Sequence, residues 1–419
     1  MLADENGRRR CVITGLGPIT CVGKGVDNFW KGILAEKTGI VPITSFDASA
    51  FGVRVAGEIR DWNPEEFFSP HRLKRLDRYA QFAVASARLA LDDAGLECSR
   101  EKPQPRVGVS FGTALGGVCK AEEQYVRFLK KGARGVQPTL AVQVFGGSAH
   151  SNIAIDFALR GVGTTNSNSC ASGTVSLGEA LRYIRDDFVD VVIAGGAEAP
   201  LTAITVGAFD IIKTMSRNEN PEEACRPFDK LRDGFVIGEG GASLIVEELE
   251  HARARGARIY AELLGYSLNN DGFHMTTPLP SAESCIRAMR QALADAQLAP
   301  EQIDYINAHA SSTQLNDACE TLAIKEVFGE HARKIPVSGT KAFTSHPLGA
   351  TGAIEGTICV LALEHQYVPP TLHRDHPDES CDLDVVPHHG RAAKLDYVMS
   401  NSFGFGGINA CVILGKLRD

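Results

Sequence analysis

The sequence lacks the features that would set it apart from an ordinary globular enzyme. It has no low-complexity tract, no C-x-x-C pair and no uninterrupted apolar run of the roughly 18 residues that a membrane span needs. It also lacks a net positive charge: the formal net charge is −8, whereas non-specific nucleic-acid binding needs a basic field along one face. These absences argue against a fibrous, disordered, membrane-spanning or nucleic-acid-binding chain.

The cysteines and the first residues bear on the compartment. The 11 cysteines are odd in number and scattered, which fits a reducing environment better than a disulfide framework. The start, Arg8-Arg9-Arg10 followed by CVITGLGPITCVG, is unlike an export signal, because glycines and a proline break its apolar part. We therefore expect a cytoplasmic protein.

Short β-branched runs that end in glycine alternate with longer helical patterns along the 419 residues. The runs CVITGLG, RVGVSFGTALGG, VDVVIAGGAEA and GASLIVEEL come first, with helices predicted near 26–37 and 120–130. The series restarts with IYAELLGYSLN, IDYINAHASST, IPVSGTK and a closing hairpin, DYVMSNSFGFGGINACVIL, with helices near 284–296 and 317–328. This alternation predicts an α/β fold of two related halves, 1–255 and 256–419.

Two helical segments rich in small residues echo each other, and each has a reactive side chain at its start. They are NSNSCASGTVSLGEALRYI and AFTSHPLGATGAIEGTICVLALEH. Such helices can lie between layers where backbones approach closely, at a cost of about 1 kcal/mol per internal glycine. We expect both to be central.

Cys170 precedes Ala171-Ser172-Gly173 at the predicted start of the first of these helices. The free N–H groups of a helix N-terminus stabilise a thiolate and can receive an oxyanion. Any one of eleven cysteines is more often an inert core residue, but this setting favours a nucleophile.

Two histidines are candidate partners. His309 ends the strand-like IDYINAHA, and His346 opens the second small-residue helix, whose N-terminus should lower its pKa and leave a neutral imidazole that donates one hydrogen bond. A lone strand-end histidine is more often structural.

Lys341 is either a surface lysine or a buried one paired with Glu355, and Glu355 has equally plausible partners elsewhere.

The closing SFGFGGIN has Gly404, Gly406 and Gly407 around two phenylalanines. The pattern predicts a tight turn. Its backbone N–H can join that of Cys170 in an oxyanion hole, although a plain strand-connecting turn has equal weight. Phe405 is also a candidate for a movable lid.

Together these residues resemble the β-ketoacyl-acyl carrier protein synthases, most closely the synthase II type, over nearly the whole chain. The motifs occur in the family's order: VITGLG, FGTALGG, NSCASGT, VIAGGAEA, RPFDKLRDGFVIGEGG, HMTTP, NAHASST with Asp317, GTK with TSHPLGATGAIE, and SFGFGGIN. Such an ordered set is very specific.

The resemblance implies a thiolase-like, five-layer αβαβα duplication and a Cys-His-His site at Cys170, His309 and His346. It implies supporting charges at Lys341 and Glu355, and an oxyanion hole from the N–H groups of Cys170 and Phe405. Further implied roles are a gate at Phe405 and Phe403, pantetheine contacts at Ser311 and Thr313, and an acyl-pocket position at Leu115. No metal or organic cofactor is required, and the expected assembly is a homodimer or a heterodimer with a related subunit.

The expected reaction is a decarboxylative condensation. An acyl chain would be held on Cys170, and an enolate made from a malonyl thioester near both imidazoles would attack it.

An acyl carrier protein is the expected partner. The stretch HRLKRLDR places Arg72, Lys74, Arg75 and Arg78 in one short amphipathic helix, and the resemblance adds Lys130, Lys131 and Arg217. An acidic carrier suits such a patch, although basic runs are often only solvated faces.

The chain departs from the family's usual residues beside the predicted site. Ala310-Ser311 stands where Gly-Thr is common, Ser345 and Pro347 flank His346 in place of Gly and Leu, and Ser169 precedes Cys170 in place of Ala. No reacting group is lost, so these changes predict an altered acyl pocket. They do not distinguish fatty-acid from polyketide synthesis.

Five other interpretations compete with this one. A dinucleotide-binding enzyme fits GLGPIT and Glu36 poorly because the third glycine is missing, and a metal site at His373, Asp375, His376 and Asp378 lacks regular spacing. A thiolase would have a second reactive cysteine in a C-x-G turn, and an initiating synthase would have asparagine in place of His346. The alternative from another class is a non-catalytic subunit similar to a chain-length factor, which would lack the nucleophile.

Overall fold

The computed structural model describes residues 7–418. Within this range the strands of the first half are β1 (Cys11–Thr20), β2 (Gly23–Lys24), β3 (Val41–Pro42), β4 (Val55–Ala56), β5 (Val107–Gly112), β6 (Gly163–Asn166), β7 (Val191–Glu198) and β8 (Gly240–Glu248). The second half contributes β9 (Ala261–Asn270), β10 (Tyr305–Asn307), β11 (Val337–Ser338), β12 (Tyr367–Val368), β13 (Arg391–Ala392), β14 (Tyr397–Gly404) and β15 (Ile408–Gly415).

The helices of the first half are α1 (Val26–Leu34), α2 (Pro70–Leu73), α3 (Arg78–Asp93), α4 (Val118–Lys131), α5 (Leu140–Gln143), α6 (Ser148–Phe157), α7 (Ser172–Arg185), α8 (Ala203–Ile211), α9 (Pro221–Ala224) and α10 (Leu249–Ala254). Those of the second half are α11 (Glu283–Ala296), α12 (Gln314–Phe328), α13 (Lys341–Thr344) and α14 (Thr351–His365). The helices predicted near 26–37, 120–130, 284–296 and 317–328 are confirmed within a few residues, apart from the first, which ends earlier at Leu34.

The same strand pattern occurs twice in the main sheet. The order is β6-β5-β7-β8-β1 in the first half and β11-β10-β14-β15-β9 in the second. In each half the first three strands of this order are parallel to one another. The fourth, β8 or β15, runs antiparallel to both of its neighbours. The halves join where β1 pairs with β9, from Cys11 opposite Leu263 to Ile13 opposite Ala261. The two related halves predicted from the sequence are therefore present in the strand order.

Helices pack in three layers around these strands. On one outer side α3 packs on β1 and β8, and on the other α11 packs on β9 and β15. Between the two halves of the sheet lie α7 and α14, which contact each other as well as strands from both halves. This arrangement confirms the α/β class and the five layers, and it places the two small-residue helices at the centre.

Small residues allow the two central helices to approach. Every residue of α14 from Thr351 to Leu363 is buried. A Cβ atom at Gly173 would lie 2.5 Å from the backbone nitrogen of Ala353, so the backbones are too close for a side chain there. The largest apolar cluster contains residues from both halves, for example Leu16, Val175, Ile358 and Val412.

The division at residue 255 stays a prediction. Among the described residues, none of the helices is long and apolar enough to cross a membrane.

Candidate functional site

Cys170 lies in the 3-10 turn Ser169–Ala171 that connects β6 to α7, and its side chain is buried. The tip of the β14–β15 hairpin reaches this turn. A Cβ atom at Gly404 would lie 3.1 Å from the Cys170 nitrogen, so glycine is what permits the close approach. The turn itself uses Gly406 and Gly407, with φ of 85° and 68°, values that favour glycine. The hairpin end thus lies beside Cys170.

His346 follows α13 and is buried against Cys170. Its Nε2 lies 3.0 Å from the Cys170 Sγ, and its Nδ1 lies 2.8 Å from the Thr351 hydroxyl. Ser345 before it has φ of 60°, a conformation that is rare for residues with a Cβ. Burial lowers the pKa of His346 well below its usual 6.5, and the positive charge of Lys341 lowers it further. This direction agrees with the expectation, and burial and Lys341 are the causes found in the structure.

His309 lies two residues beyond β10 and is fixed by its backbone. Glu320 accepts hydrogen bonds from the backbone N–H groups of His309 and Ala310, at 2.9 and 2.8 Å. The Nδ1 atom of His309 lies 3.3 Å from the Lys341 Nζ. Because an ammonium group only donates, Nδ1 is the acceptor and the ring proton resides on Nε2. Burial, then Lys341 and His346, lower the pKa of His309 well below its usual value.

The rings of His309 and His346 are 5.4 Å apart and nearly perpendicular. Lys341 lies behind them, with 1% of its side chain exposed, and its Nζ is 2.6 Å from the Glu355 carboxylate. Lys341 also donates to the His309 carbonyl oxygen. Burial raises the pKa of Glu355 to about 7, although Lys341 opposes this. Lys341 is therefore a buried residue in contact with both Glu355 and His309.

The pKa of the Cys170 thiol is shifted in the direction opposite to the one expected for a stabilised thiolate. Burial raises its pKa above the usual value, and hydrogen bonds from Ser169 and Phe405 and the charge of Lys341 offset only part of this. With its pKa raised, Cys170 is a thiol at neutral pH, and its S–H can donate to the neutral His346 Nε2.

A cavity of about 420 Å³ opens onto these groups. It is lined by most of the residues predicted to form the site: Leu115, Cys170, His309, Ser311, Thr313, His346, Phe403 and Phe405. Phe405 packs against Phe209, with ring centres 6.5 Å apart, and the next backbone N–H, that of Gly406, donates to the Met275 carbonyl. Phe405 is thus next to the segment that contains HMTTP.

Several residues of the site were not singled out from the sequence. Glu198, at the end of β7, accepts hydrogen bonds from Thr113, Ala114, Leu115 and Gly349. Thr351 contacts His346, and Glu320 holds the His309 backbone. The buried glutamate that ends the apolar run VIAGGAE was the available signal for Glu198, because a carboxylate after such a run needs partners.

The single short helix predicted for HRLKRLDR is wrong: α2 ends at Leu73, Lys74 and Arg75 follow it, and Arg78 begins α3. The predicted docking residues fall into two groups. Arg72 bonds Asn152 and Asp156, and Arg217 pairs with Asp210 at 2.9 Å. The other four, Lys74, Arg75, Lys130 and Lys131, have exposed side chains. Within residues 7–418, the structure pairs none of these four with an acidic side chain. Only this second group therefore presents an unpaired charge to solvent.

Two of the competing explanations lose their structural basis. Gly15 lies inside β1, which runs antiparallel to β8, so it does not form a phosphate-binding turn between a strand and a helix. In the proposed metal segment, His373 contacts the Cys225 carbonyl and Asp378 pairs with Arg232. Their side chains are engaged with different neighbours.

Comparisons with known proteins agree with this geometry. The family model for the N-terminal domain of beta-ketoacyl synthase matches residues 8–252, and that for the C-terminal domain matches residues 260–375. The 3-oxoacyl-[acyl-carrier-protein] synthase 2 of Coxiella burnetii is 45% identical over 413 residues, which cover 98% of this chain and 100% of that protein.

Solved structures give the same result. A type II PKS ketosynthase in complex with its acyl-carrier protein and bound to a hexaketide has a TM-score of 0.91 at 35% identity, and the ishigamide ketosynthase/chain length factor has 0.92 at 36%. Each match covers 98% of this chain and 100% of the other. With two family models over most of its length and a relative at 45% identity, the chain belongs to the beta-ketoacyl synthase family.

Proposed function

We propose that this protein is a β-ketoacyl-acyl carrier protein synthase that elongates an acyl chain by decarboxylative condensation. The observation that carries the proposal is the contact of 3.0 Å between the Cys170 thiol and His346, with His309 facing the same cavity. The relatives' name, 3-oxoacyl-[acyl-carrier-protein] synthase 2, supports it. A non-catalytic subunit would not need this contact, so that alternative is not favoured.

In the first half-reaction the Cys170 thiol gives its proton to the His346 Nε2 and its sulfur attacks the carbonyl of an acyl thioester. The carbon–sulfur bond of the donor breaks, and the departing thiolate takes the proton back from His346. The N–H groups of Cys170 and Phe405 bind the oxyanion that forms between these steps. The products are acyl-Cys170 and a free carrier thiol.

Before the second half-reaction the ring proton of His346 moves from Nδ1 to Nε2 by exchange with solvent. The carbonyl oxygen of a malonyl thioester then accepts hydrogen bonds from the Nε2–H groups of His309 and His346. These bonds stabilise the enolate that forms as carbon dioxide leaves. The enolate carbon attacks the carbonyl of acyl-Cys170, the carbon–sulfur bond to Cys170 breaks, and the thiolate that leaves takes up a proton from solvent. The Thr351 hydroxyl suits both steps, because it can either accept from or donate to the Nδ1 of His346 and so fits either tautomer.

The remaining predicted residues take supporting roles. Lys341 and Glu355 form a buried ion pair behind the histidines, and the charge of Lys341 helps to keep both imidazoles neutral. Phe405, with Phe403 beside it, gates the cavity, Leu115 borders the acyl chain, and Ser311 and Thr313, whose hydroxyls are 3.0 Å apart, contact the pantetheine arm. The acyl and malonyl groups arrive on an acyl carrier protein, which docks at the exposed basic residues Lys74, Arg75, Lys130 and Lys131.

The test of the reaction is the variant Cys170→Ala. It should lose condensation, measured as the 3-oxoacyl product by mass spectrometry, yet still release carbon dioxide from malonyl-carrier through the two histidines. His309→Ala should load an acyl group on Cys170 and release little carbon dioxide. Normal condensation by Cys170→Ala would refute the proposal.

We also propose a dimer with a second copy of the chain or a related subunit. Along α4, Tyr125, Phe128 and Leu129 are each at least 45% exposed at helical spacing, and Ile204 and Ile211 on the contacting α8 are 64% and 80% exposed. An apolar face this large is typical of an interface. Phe128→Glu with Leu129→Glu should give a monomer in analytical ultracentrifugation, whereas Leu322→Glu on α12 should not change the mass.

The compartment remains a proposal as well. All 11 cysteines are free thiols, which suits a reducing cytoplasm. Recovery of the native protein in an exported fraction of its source cells would contradict this location.

A further inference from the structure

The segment around the nucleophile contains three serines whose hydroxyls have different partners. Ser167 is exposed and donates to the Ala114 carbonyl at 3.1 Å, and Ser172 donates to the Ser169 carbonyl at 2.7 Å. The Ser169 hydroxyl instead lies 3.7 Å from the Cys170 Sγ, within hydrogen-bond range for sulfur. Ser169 also lines the cavity that contains His309 and His346.

We propose that Ser169 is a further catalytic residue, whose hydroxyl donates a hydrogen bond to the Cys170 sulfur and stabilises the thiolate during acyl loading. This inference rests on the proposed role of Cys170 and adds a residue to it. A hydroxyl is the right group here, because it can rotate from the sulfur of the thiolate to other acceptors once the sulfur is acylated.

The thiolate needs such a donor because its surroundings are unfavourable to charge. Cys170 is 7% exposed, in an apolar cluster that includes Leu201, Met215 and Leu348. An isolated charge in such a setting is costly unless hydrogen bonds compensate it. The titratable groups around the sulfur are His346, His309, Lys341 and Glu198, and the same cavity is also lined by Lys213, Asp233 and Asp271.

Among these groups the effects oppose one another. Lys341 favours the thiolate and Glu198 disfavours it. The Phe405 N–H and the protonated His346 donate to the sulfur of the thiolate, and the Ser169 hydroxyl adds a further short-range donor. A neutral donor at this place helps without adding a charge that would lower the pKa of the histidines further.

The backbone explains how Ser169 reaches the sulfur of the next residue. Its φ is 52°, in the left-handed region, so the chain turns sharply between β6 and α7. Glycine accepts this conformation more readily than serine does. A Ser169→Gly variant therefore removes the hydroxyl and keeps the turn, and Ser169→Ala removes the hydroxyl and keeps the Cβ.

The experiment measures thiolate formation without any acyl substrate. The rate of iodoacetamide alkylation at Cys170, followed by mass spectrometry of its peptide, is recorded from pH 6 to pH 10 for the full chain and the variants Ser169→Ala, Ser169→Gly and Ser167→Ala. Below the pKa the alkylation rate is proportional to the thiolate fraction, so loss of a hydrogen bond to a charged group should lower the rate about tenfold across the profile in both Ser169 variants. The Ser167→Ala profile should match that of the unmodified sequence.

The outcomes separate this proposal from the proposed function. Unchanged profiles in both Ser169 variants, or an equal loss of rate in Ser167→Ala, would overturn the role of Ser169. The proposed function fails instead if Cys170→Ala still condenses. Because two different replacements at position 169 are compared, and glycine fits the backbone there, misfolding of one variant does not decide the result.

Discussion

At the scale of single residues, burial and one nearby ammonium group together determine the protonation state of both histidines. Lys341 donates toward the Nδ1 of His309 and lowers the pKa of His309 and His346 by its charge. Both imidazoles are consequently neutral at neutral pH. His346 can then accept the proton of the Cys170 thiol, and His309 can present its Nε2–H to the cavity.

The neutral state of His346 predicts the acid limb of acyl loading, which is the fall in its rate at low pH. The pKa of His346 in the folded protein lies well below its usual 6.5, so the neutral form persists as the pH falls through 6.5. We expect the rate of acyl transfer to Cys170, measured by stopped-flow release of the carrier thiol, to keep its full value at pH 6.5 and to fall only at lower pH. A limb centred at 6.5 or above would contradict it.

The same shift affects stability with a definite sign. The unfolded chain takes up protons at its histidines near pH 6.5, before the folded protein does, so the free energy of unfolding contributed by these residues is present above 6.5 and is lost as the pH falls.

Lys341 and Glu355 form a buried ion pair whose two halves must be changed together. Lys341→Met leaves the Glu355 carboxyl without its partner, and we expect it to cost about 3–5 kcal/mol in urea unfolding. The double variant Lys341→Met/Glu355→Leu replaces the pair by apolar side chains and should recover most of that stability.

The double variant also tests the effect of charge on catalysis. Without the ammonium group, its acid limb of acyl loading should move up toward pH 6.5. Recovery of stability with an unmoved limb would show that Lys341 is only structural.

At the scale of elements, the contact between α7 and α14 sets the site, because Cys170 precedes one helix and His346 the other. The two helices bring together residues 176 positions apart. Their approach depends on glycines, since a Cβ at Gly352 would collide with the backbone nitrogen of Thr174. Backbone atoms in two packed helices cannot move aside as a side-chain end can.

A matched pair of glycines one turn apart in α14 tests this contact. Gly352→Ala should cost about 1–3 kcal/mol in urea unfolding and lower kcat, because it forces the helices apart. Gly356→Ala would meet only the end of Leu177, at 2.9 Å, and gains helix propensity, so it should stay within about 1 kcal/mol of the original. Equal effects at the two positions would count against helix separation as the cause.

At the scale of the whole molecule, the charge distribution matters for docking. The net charge is −8, yet Lys74 and Arg75 form an exposed basic site. Lys74→Glu with Arg75→Glu should raise the apparent KM for carrier-bound substrate several-fold, with an effect that shrinks as salt increases, because opposite charges steer association. The KM for a small pantetheine thioester should not change.

A control with the same change of net charge uses Lys102→Glu with Lys394→Glu, two lysines whose side chains are 71% and 82% exposed. It should leave both KM values unaltered. If it raised the KM for carrier-bound substrate equally, net charge rather than this patch would be responsible.

The sequence by itself determined the fold class and predicted the reacting residues. Periodic apolar runs indicated the strands and helices, and local signals such as a cysteine before a small-residue helix pointed to Cys170, because backbone and patterning preferences act over a few residues. The order of motifs pointed to His309 and His346 without distances.

Only the tertiary structure decided the protonation states and the supporting contacts. Burial, which depends on distant parts of the chain, raises the pKa of Cys170, whereas the local helix signal favours a thiolate. The fold also selected Glu355 among the possible partners of Lys341 and engaged Arg72 and Arg217 in ion pairs. It brought Glu198, Glu320 and Thr351 to the site. Electrostatic effects depend on distance and on exclusion of water, and neither follows from the order of residues.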